Sequence, residues 1–156
     1  MSYATDWHTQ SQTMRNHDIL YKAMEYVGTY GGECKPWVQN VVTLASNGAG
    51  IVPLTTNNGD GYTWENTPGP DAGKVSEDLN SPNVHVGMIV QMRIRYKDGS
   101  YVPHTAIIYG KNSTGVTWIE SNKQGDGMVR VSSFQTYAQF YATLETLSSY
   151  SIYYIK

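Results

Sequence analysis

The stretch Tyr30-Gly31-Gly32-Glu33-Cys34-Lys35-Pro36-Trp37-Val38-Gln39-Asn40-Val41-Val42 decides how this chain is read. Pro36 has no amide hydrogen, so inside a helix it is tolerated only in the first turn, where that hydrogen would have no partner. The helix must therefore begin at or just before Cys34. It runs to about Ser46, and Trp37, Val38, Val41, Val42 and Ala45 fall on one face at helical spacing. Gly31-Gly32 breaks the chain immediately before it and lets backbone or ligand come close. Cys34, the only cysteine of the 156 residues, thus stands at a helix N-terminus. The peptide dipoles there favour the thiolate, which is the nucleophilic form. A lone cysteine is more often a small buried hydrophobe. The polar neighbours Glu33 and Lys35 argue against that for Cys34.

Upstream, Ile19, Leu20, Ala23, Met24 and Val27 predict a helix over residues 17–30, with Asn16 as N-cap and Gly28 as stop. Residues 1–16 read as an N-terminal extension. Downstream, Gly48 to Asn83 is rich in Gly, Pro, Asn, Asp and Thr and predicts a long loop with at most a short helix. Strands are then expected from His85 to Tyr96, His104 to Tyr109, Val116 to Ser121 and Met128 to Ser132. The turns Lys97–Ser100 and Lys111–Gly115 separate the first three. A short helix is expected within Ser133–Leu147 and a closing strand over Ser151–Ile155. Helices followed by an antiparallel meander define an α+β fold in one domain, residues 1–156.

Composition removes several classes of function. Net charge is −2, which gives no electrostatic case for nucleic acid or an anionic membrane. No apolar run approaches the ~20 residues of a membrane span. A single cysteine excludes an internal disulfide and a cysteine-rich zinc site. No short-range ligand pair suggests a metal, and no glycine-rich loop carries the Lys-Ser/Thr that grips phosphate. Thirteen tyrosines and four tryptophans stand against two phenylalanines. Such rings suit either a β-rich core or a half-wet groove for sugars and peptides.

Two further segments bear chemistry. Pro103-His104-Thr105-Ala106-Ile107-Ile108 places a histidine at the expected head of a strand, with His104, Ala106 and Ile108 on one face. His85 is the reserve histidine. In Trp118-Ile119-Glu120-Ser121-Asn122, residues 118, 120 and 122 share a face, and either Glu120 or Asn122 is expected to accept the N–H of His104 and hold its tautomer. Cys34, His104 and this polar pair are the parts of a thiol hydrolase: nucleophile, base and orienting group.

With these segments in order, the chain resembles the CHAP family of cysteine- and histidine-dependent amidohydrolases/peptidases and the related NlpC-type cell-wall peptidases, over about residues 26–156. Gly87-Met88-Ile89-Val90-Gln91 and the closing Tyr150–Ile155 belong to the same pattern. Where many such enzymes place an aspartate before the G-x-I-V strand, this chain has His85-Val86. The resemblance implies a papain-like core and hydrolysis of amide bonds in bacterial peptidoglycan without a cofactor. Cys34 would attack, His104 would act as general base, and Glu120 and Asn122 would be the third and fourth members. The resemblance also implies an oxyanion held by the backbone N–H of Cys34 and a second donor. Tyr30 is the candidate for that donor, and Trp37 is a candidate for substrate contact.

The expected partners are peptidoglycan peptide stems, with an immunity protein if the chain is a toxin effector. Met1–His8 shows no basic region leading into an apolar stretch. The resemblance implies action outside the cell or in the periplasm or cell wall, and the expectation is then export by phage lysis or specialised secretion, or removal of a signal. A papain-like acyltransferase, a protein-directed protease and a non-catalytic glycan- or peptide-binding module are the alternatives.

Overall fold

The computed structural model describes residues 7–54 and 68–156. Trp7–Thr9 forms one 3-10 turn, followed by helix α1 (Gln12–Met24) and helix α2 (Cys34–Ala45). Then come strands β1 (Ala72–Val75), β2 (Ile89–Arg95), β3 (Tyr101–Lys111), β4 (Gly115–Ser121), β5 (Val129–Val131) and β6 (Gln135–Thr136). Helix α3 (Tyr137–Thr143) and strand β7 (Tyr150–Ile155) close the chain. All seven strands join one antiparallel sheet in the order β1-β7-β2-β3-β4-β5, with β6 also paired to β4. The α+β class expected from the sequence is the class the chain adopts, and the Cys-bearing helix packs on the antiparallel sheet.

Apolar side chains sit on both faces of the sheet. On one face Ile89, Ile107 and Ile119 meet Trp37, Val38, Val41 and Val42 of α2 and Ile19 and Ala23 of α1. On the other, Val90, Ala106, Ile108 and Trp118 meet Phe140 of α3. Period-2 alternation along each strand divides the residues between the two cores. Each large side chain buried this way contributes about 1.5–3 kcal/mol.

Several boundaries differ from the expected ones. Helix α1 begins at Gln12, because the Ser11 side chain caps it by accepting the N–H of Met14 at 3.2 Å. Asn16 is therefore inside the helix, and residues 25–28 form turns. From Trp7 onward, the expected extension is part of the packed domain. Trp7 is buried, its Nε1 donates to Lys156 O at 2.8 Å, and Arg15 Nε donates to Ile155 O at 3.0 Å. Residues 1–6 lie outside the described residues. The long loop contains β1, which pairs with β7 through Ala72↔Ile155 to Val75↔Ile152. The short helix entertained there does not occur in the loop's described parts, and residues 55–67 lie outside them. Strand β2 starts at Ile89, so His85 stands in the preceding turns. Strand β3 starts at Tyr101, so His104 is inside a strand rather than at its head, paired to β2 on one side and beyond the end of the ladder to β4 on the other.

Candidate active site

The β3–β4 ladder runs from Lys111↔Val116 to Ile107↔Ile119 and then stops. Beyond that point β3 stays paired to β2, through His104↔Met92, and β4 stays paired to β5, through Ser121↔Val129. The turn that carries Cys34 occupies the opening. The N–H groups of Gly31 and Gly32 both donate to Gly127 O, at 2.7 and 3.0 Å. Ser121, fully buried, donates its hydroxyl to Gly32 O at 2.7 Å, with Gly127 O at 3.3 Å as a second acceptor. A Cβ at Gly31 would fall 2.6 Å from Val129 Cγ2 and 2.7 Å from both Ser121 Oγ and Trp37 Cδ1. Glycine is required there for lack of room.

The opening lets side chains from opposite sides of the sheet meet. His104 and Glu120 project from the α3 face, and α2 packs on the other. Cys34, 7% exposed at the N-terminus of α2, reaches the His104 ring through the gap. His104 Nε2 lies 2.8 Å from Glu120 Oε1, and both residues are buried. Nδ1 is thus the ring nitrogen left for the thiol.

Burial opposes ionisation of the thiol. The hydrogen bond and positive charge of His104, with the backbone N–H groups of Thr105 and Lys35, outweigh it, and the Cys34 pKa lies below the ordinary thiol value. Burial likewise opposes charge on His104. Hydrogen bonds to Cys34 and Glu120, and the charge on both, raise its pKa from 6.5 to about 9. The two shifts act in the same direction, towards a thiolate–imidazolium pair.

The other expected site residues are placed differently. Asn122 makes its side-chain hydrogen bonds to Glu33 and Gly127. Its φ of 65° turns it out of the strand, its Nδ2 donates to Glu33 Oε2 at 3.2 Å, and its Oδ1 accepts the Gly127 N–H at 2.8 Å. It ties the residue that precedes the Cys34 helix to the β4–β5 turn, so of the two candidates Glu120 orients the imidazole. Tyr30 is 76% exposed and packs over Gly127, outside the cavity that contains Cys34. Trp37 is in the core at 4% exposure and does not line that cavity either. Lys35, expected as a polar flank, is fully buried.

The cavity at Cys34 measures about 380 Å³. Glu33, Cys34, His104 and Asn122 line it, along with Tyr96 and Lys123, which sequence reasoning did not single out. Ser121 was also missed as a site residue, although it lies between the two polar residues that were picked. A larger cavity of about 640 Å³, lined by His17 and His85 among others, contains neither Cys34 nor His104. Among the described residues no group of three His, Cys, Asp or Glu side chains is placed to hold a metal ion.

The fold thus brings a buried cysteine, histidine and glutamate together in one contact series. No protein-family model matches the chain, and no curated protein matches it in sequence. Among solved structures it is similar to that of Ly7917, with 15% identity and a TM-score of 0.62 over 90% of this chain and 62% of the other. The chain thus spans less than two thirds of Ly7917. It is more loosely similar to an N-acetylmuramoyl-L-alanine amidase from Bacteroides uniformis ATCC 8492, with 13% identity, a TM-score of 0.47, and coverage of 91% of this chain and 99% of that one. At these identities the likeness to Ly7917 is one of fold.

Proposed function

We propose that the chain is a cysteine hydrolase that cleaves amide bonds in bacterial peptidoglycan, as an amidase or an endopeptidase. The observation that carries this reading is the buried Cys34–His104–Glu120 contact series, in which the shifts of thiol and imidazole reinforce each other. A structural cysteine needs no such partners. The choice of peptidoglycan rests on the resemblance to CHAP and NlpC-type enzymes.

In this mechanism the Cys34 thiolate attacks the carbonyl carbon. The oxyanion forms beside the N-terminus of α2, where the Cys34 backbone N–H is one donor. The His104 imidazolium gives its proton to the leaving amine, the C–N bond breaks, and a thioester to Cys34 remains. Neutral His104 then takes a proton from water, which attacks the thioester and returns the thiol. Glu120 holds the ring and stabilises its charged form. Ser121 and Asn122 position the turn that carries the nucleophile. The peptide stem is the proposed partner, and the cell wall or periplasm is the proposed place of action.

The test is dye release from labelled peptidoglycan. Wild type is expected to release dye and Cys34→Ala at least about 1,000-fold less. Equal release by both proteins would falsify the reading. Mass spectrometry of the fragments identifies the bond that is cut. Transfer to an added amine in place of water would reassign the chain as an acyltransferase.

A further inference from the structure

The cleft continues past the His104–Glu120 pair. Ile94 and Lys123 line the cavity at Cys34 and also a second cavity of about 330 Å³. Glu120 lines that second cavity, while its carboxylate holds His104. The two hollows are therefore neighbours along Ile94 and Lys123, with the histidine–glutamate pair between them.

The second cavity has a distinct chemistry. One wall is aromatic, made by Trp118, Phe134 and Phe140, and Phe134 is 49% exposed. Its lining contains one carboxylate, that of Glu120, which is already paired with His104. Against it stand two cations, Lys123 and Arg95. The Arg95 guanidinium is held at Tyr101, donating to the phenol oxygen at 2.9 Å and lying 5.5 Å from the ring centroid. Lys123, on the exposed β4–β5 turn, is the cation that the two cavities share. An apolar wall with an ammonium at the junction suits a ligand that joins a hydrocarbon surface to an anionic group.

We propose that the second cavity is a subsite of the same cleft, and that Lys123 pairs there with a carboxylate on the peptide whose scissile amide lies at Cys34. This rests on the hydrolase reading above and adds a substrate class: an acidic peptide, distinguished from its amidated form.

The test measures binding without turnover. Cys34→Ala is titrated with the tripeptide L-alanyl-γ-D-glutamyl-L-lysine and with the same peptide carrying an α-amide on the glutamyl residue. The acidic peptide is expected to bind roughly tenfold more tightly, which is one ion pair in a partly desolvated cleft. Lys123→Met in the same background is expected to erase the difference, and Lys123→Arg to keep most of it. Thermal melts confirm that the variants fold. Equal affinity for the two peptides, binding of neither, or a preference that survives Lys123→Met would each overturn the proposal. The hydrolase reading fails on dye release instead, so the two failures are distinct.

Discussion

The two ends of the β3–β4 pair are built on opposite principles. From Lys111 to Ile107 the strands are laddered and their side chains fill both cores, with Ile107, Ile108 and Ile119 fully buried. From Ala106 to His104 the ladder to β4 is gone, and the opening is filled by the Cys34 turn and by polar groups that satisfy one another. Backbone hydrogen bonds fix the first end. At the second, side chains join the backbone bonds from Gly31 and Gly32 to Gly127: Ser121 on Gly32, Asn122 on Glu33 and Glu120 on His104. The contrast shows where a sheet can admit a buried cysteine–histidine–glutamate series. The series sits where the sheet's own bonding has been interrupted and another element supplies the partners.

The largest effect that separates the two ends is on stability. Ile107→Ala at the laddered end is expected to cost about 2–5 kcal/mol in urea unfolding. Below its melting temperature it should leave the pH profile of Cys34 alkylation in place. A changed profile in a folded variant would show that the ends are not independent.

The next effect is at the open end. Glu120→Gln removes the charge that helps raise His104, so the His104 pKa should fall from about 9 towards 6.5. In the proposed mechanism activity needs the imidazolium and is lost as pH rises through that value, so the alkaline limb of the rate profile is expected to move to lower pH. At pH 8 the expected loss is about 10- to 100-fold, or about 1.4–2.8 kcal/mol in the barrier. An unmoved alkaline limb would remove Glu120 from the mechanism. By linkage, the raised His104 pKa contributes stability that is fully present below pH 6.5 and is lost as pH rises through about 9.

The smallest effect tests the seam. Ser121→Ala removes the hydroxyl that holds Gly32 O, and it should cost about 1 kcal/mol of stability. It should also shift the alkylation profile of Cys34 towards an ordinary thiol. Retention of the low-pH reactivity would mean that the Gly127 contacts alone place the nucleophile.

Much of the laddered end was legible in the sequence, because alternation and helical spacing report burial directly. The start of α2 was legible too, since Pro36 has to fall in the first turn. The open end was readable in residue types but not in roles. Asn122 has the same strand parity as Glu120, yet the chain leaves the strand at that residue. Asparagine's tolerance of left-handed backbone in a turn-rich segment, Asn122-Lys123-Gln124-Gly125, was the available signal. Trp37 had helical parity with the core, and packing settled it. Strand β1 was hidden because Ala72-Gly73-Lys74-Val75 carries no alternation, and its pairing with β7 is wholly tertiary. His104 was expected at the head of its strand because Pro103 reads as a strand boundary, whereas β3 begins at Tyr101.

Pro103 is nevertheless inside β3, opposite Arg93 of β2. Backbone N–H groups alternate in direction along a strand, so the hydrogen that proline lacks would point the same way as that of Thr105, into the opening. The Thr105 N–H is taken by the Cys34 sulfur. Between them, the imino acid and the thiolate leave this stretch of β3 without a spare donor. An incoming extended chain therefore finds no free N–H at residues 103 and 105, which weakens this stretch as a template for adding a strand.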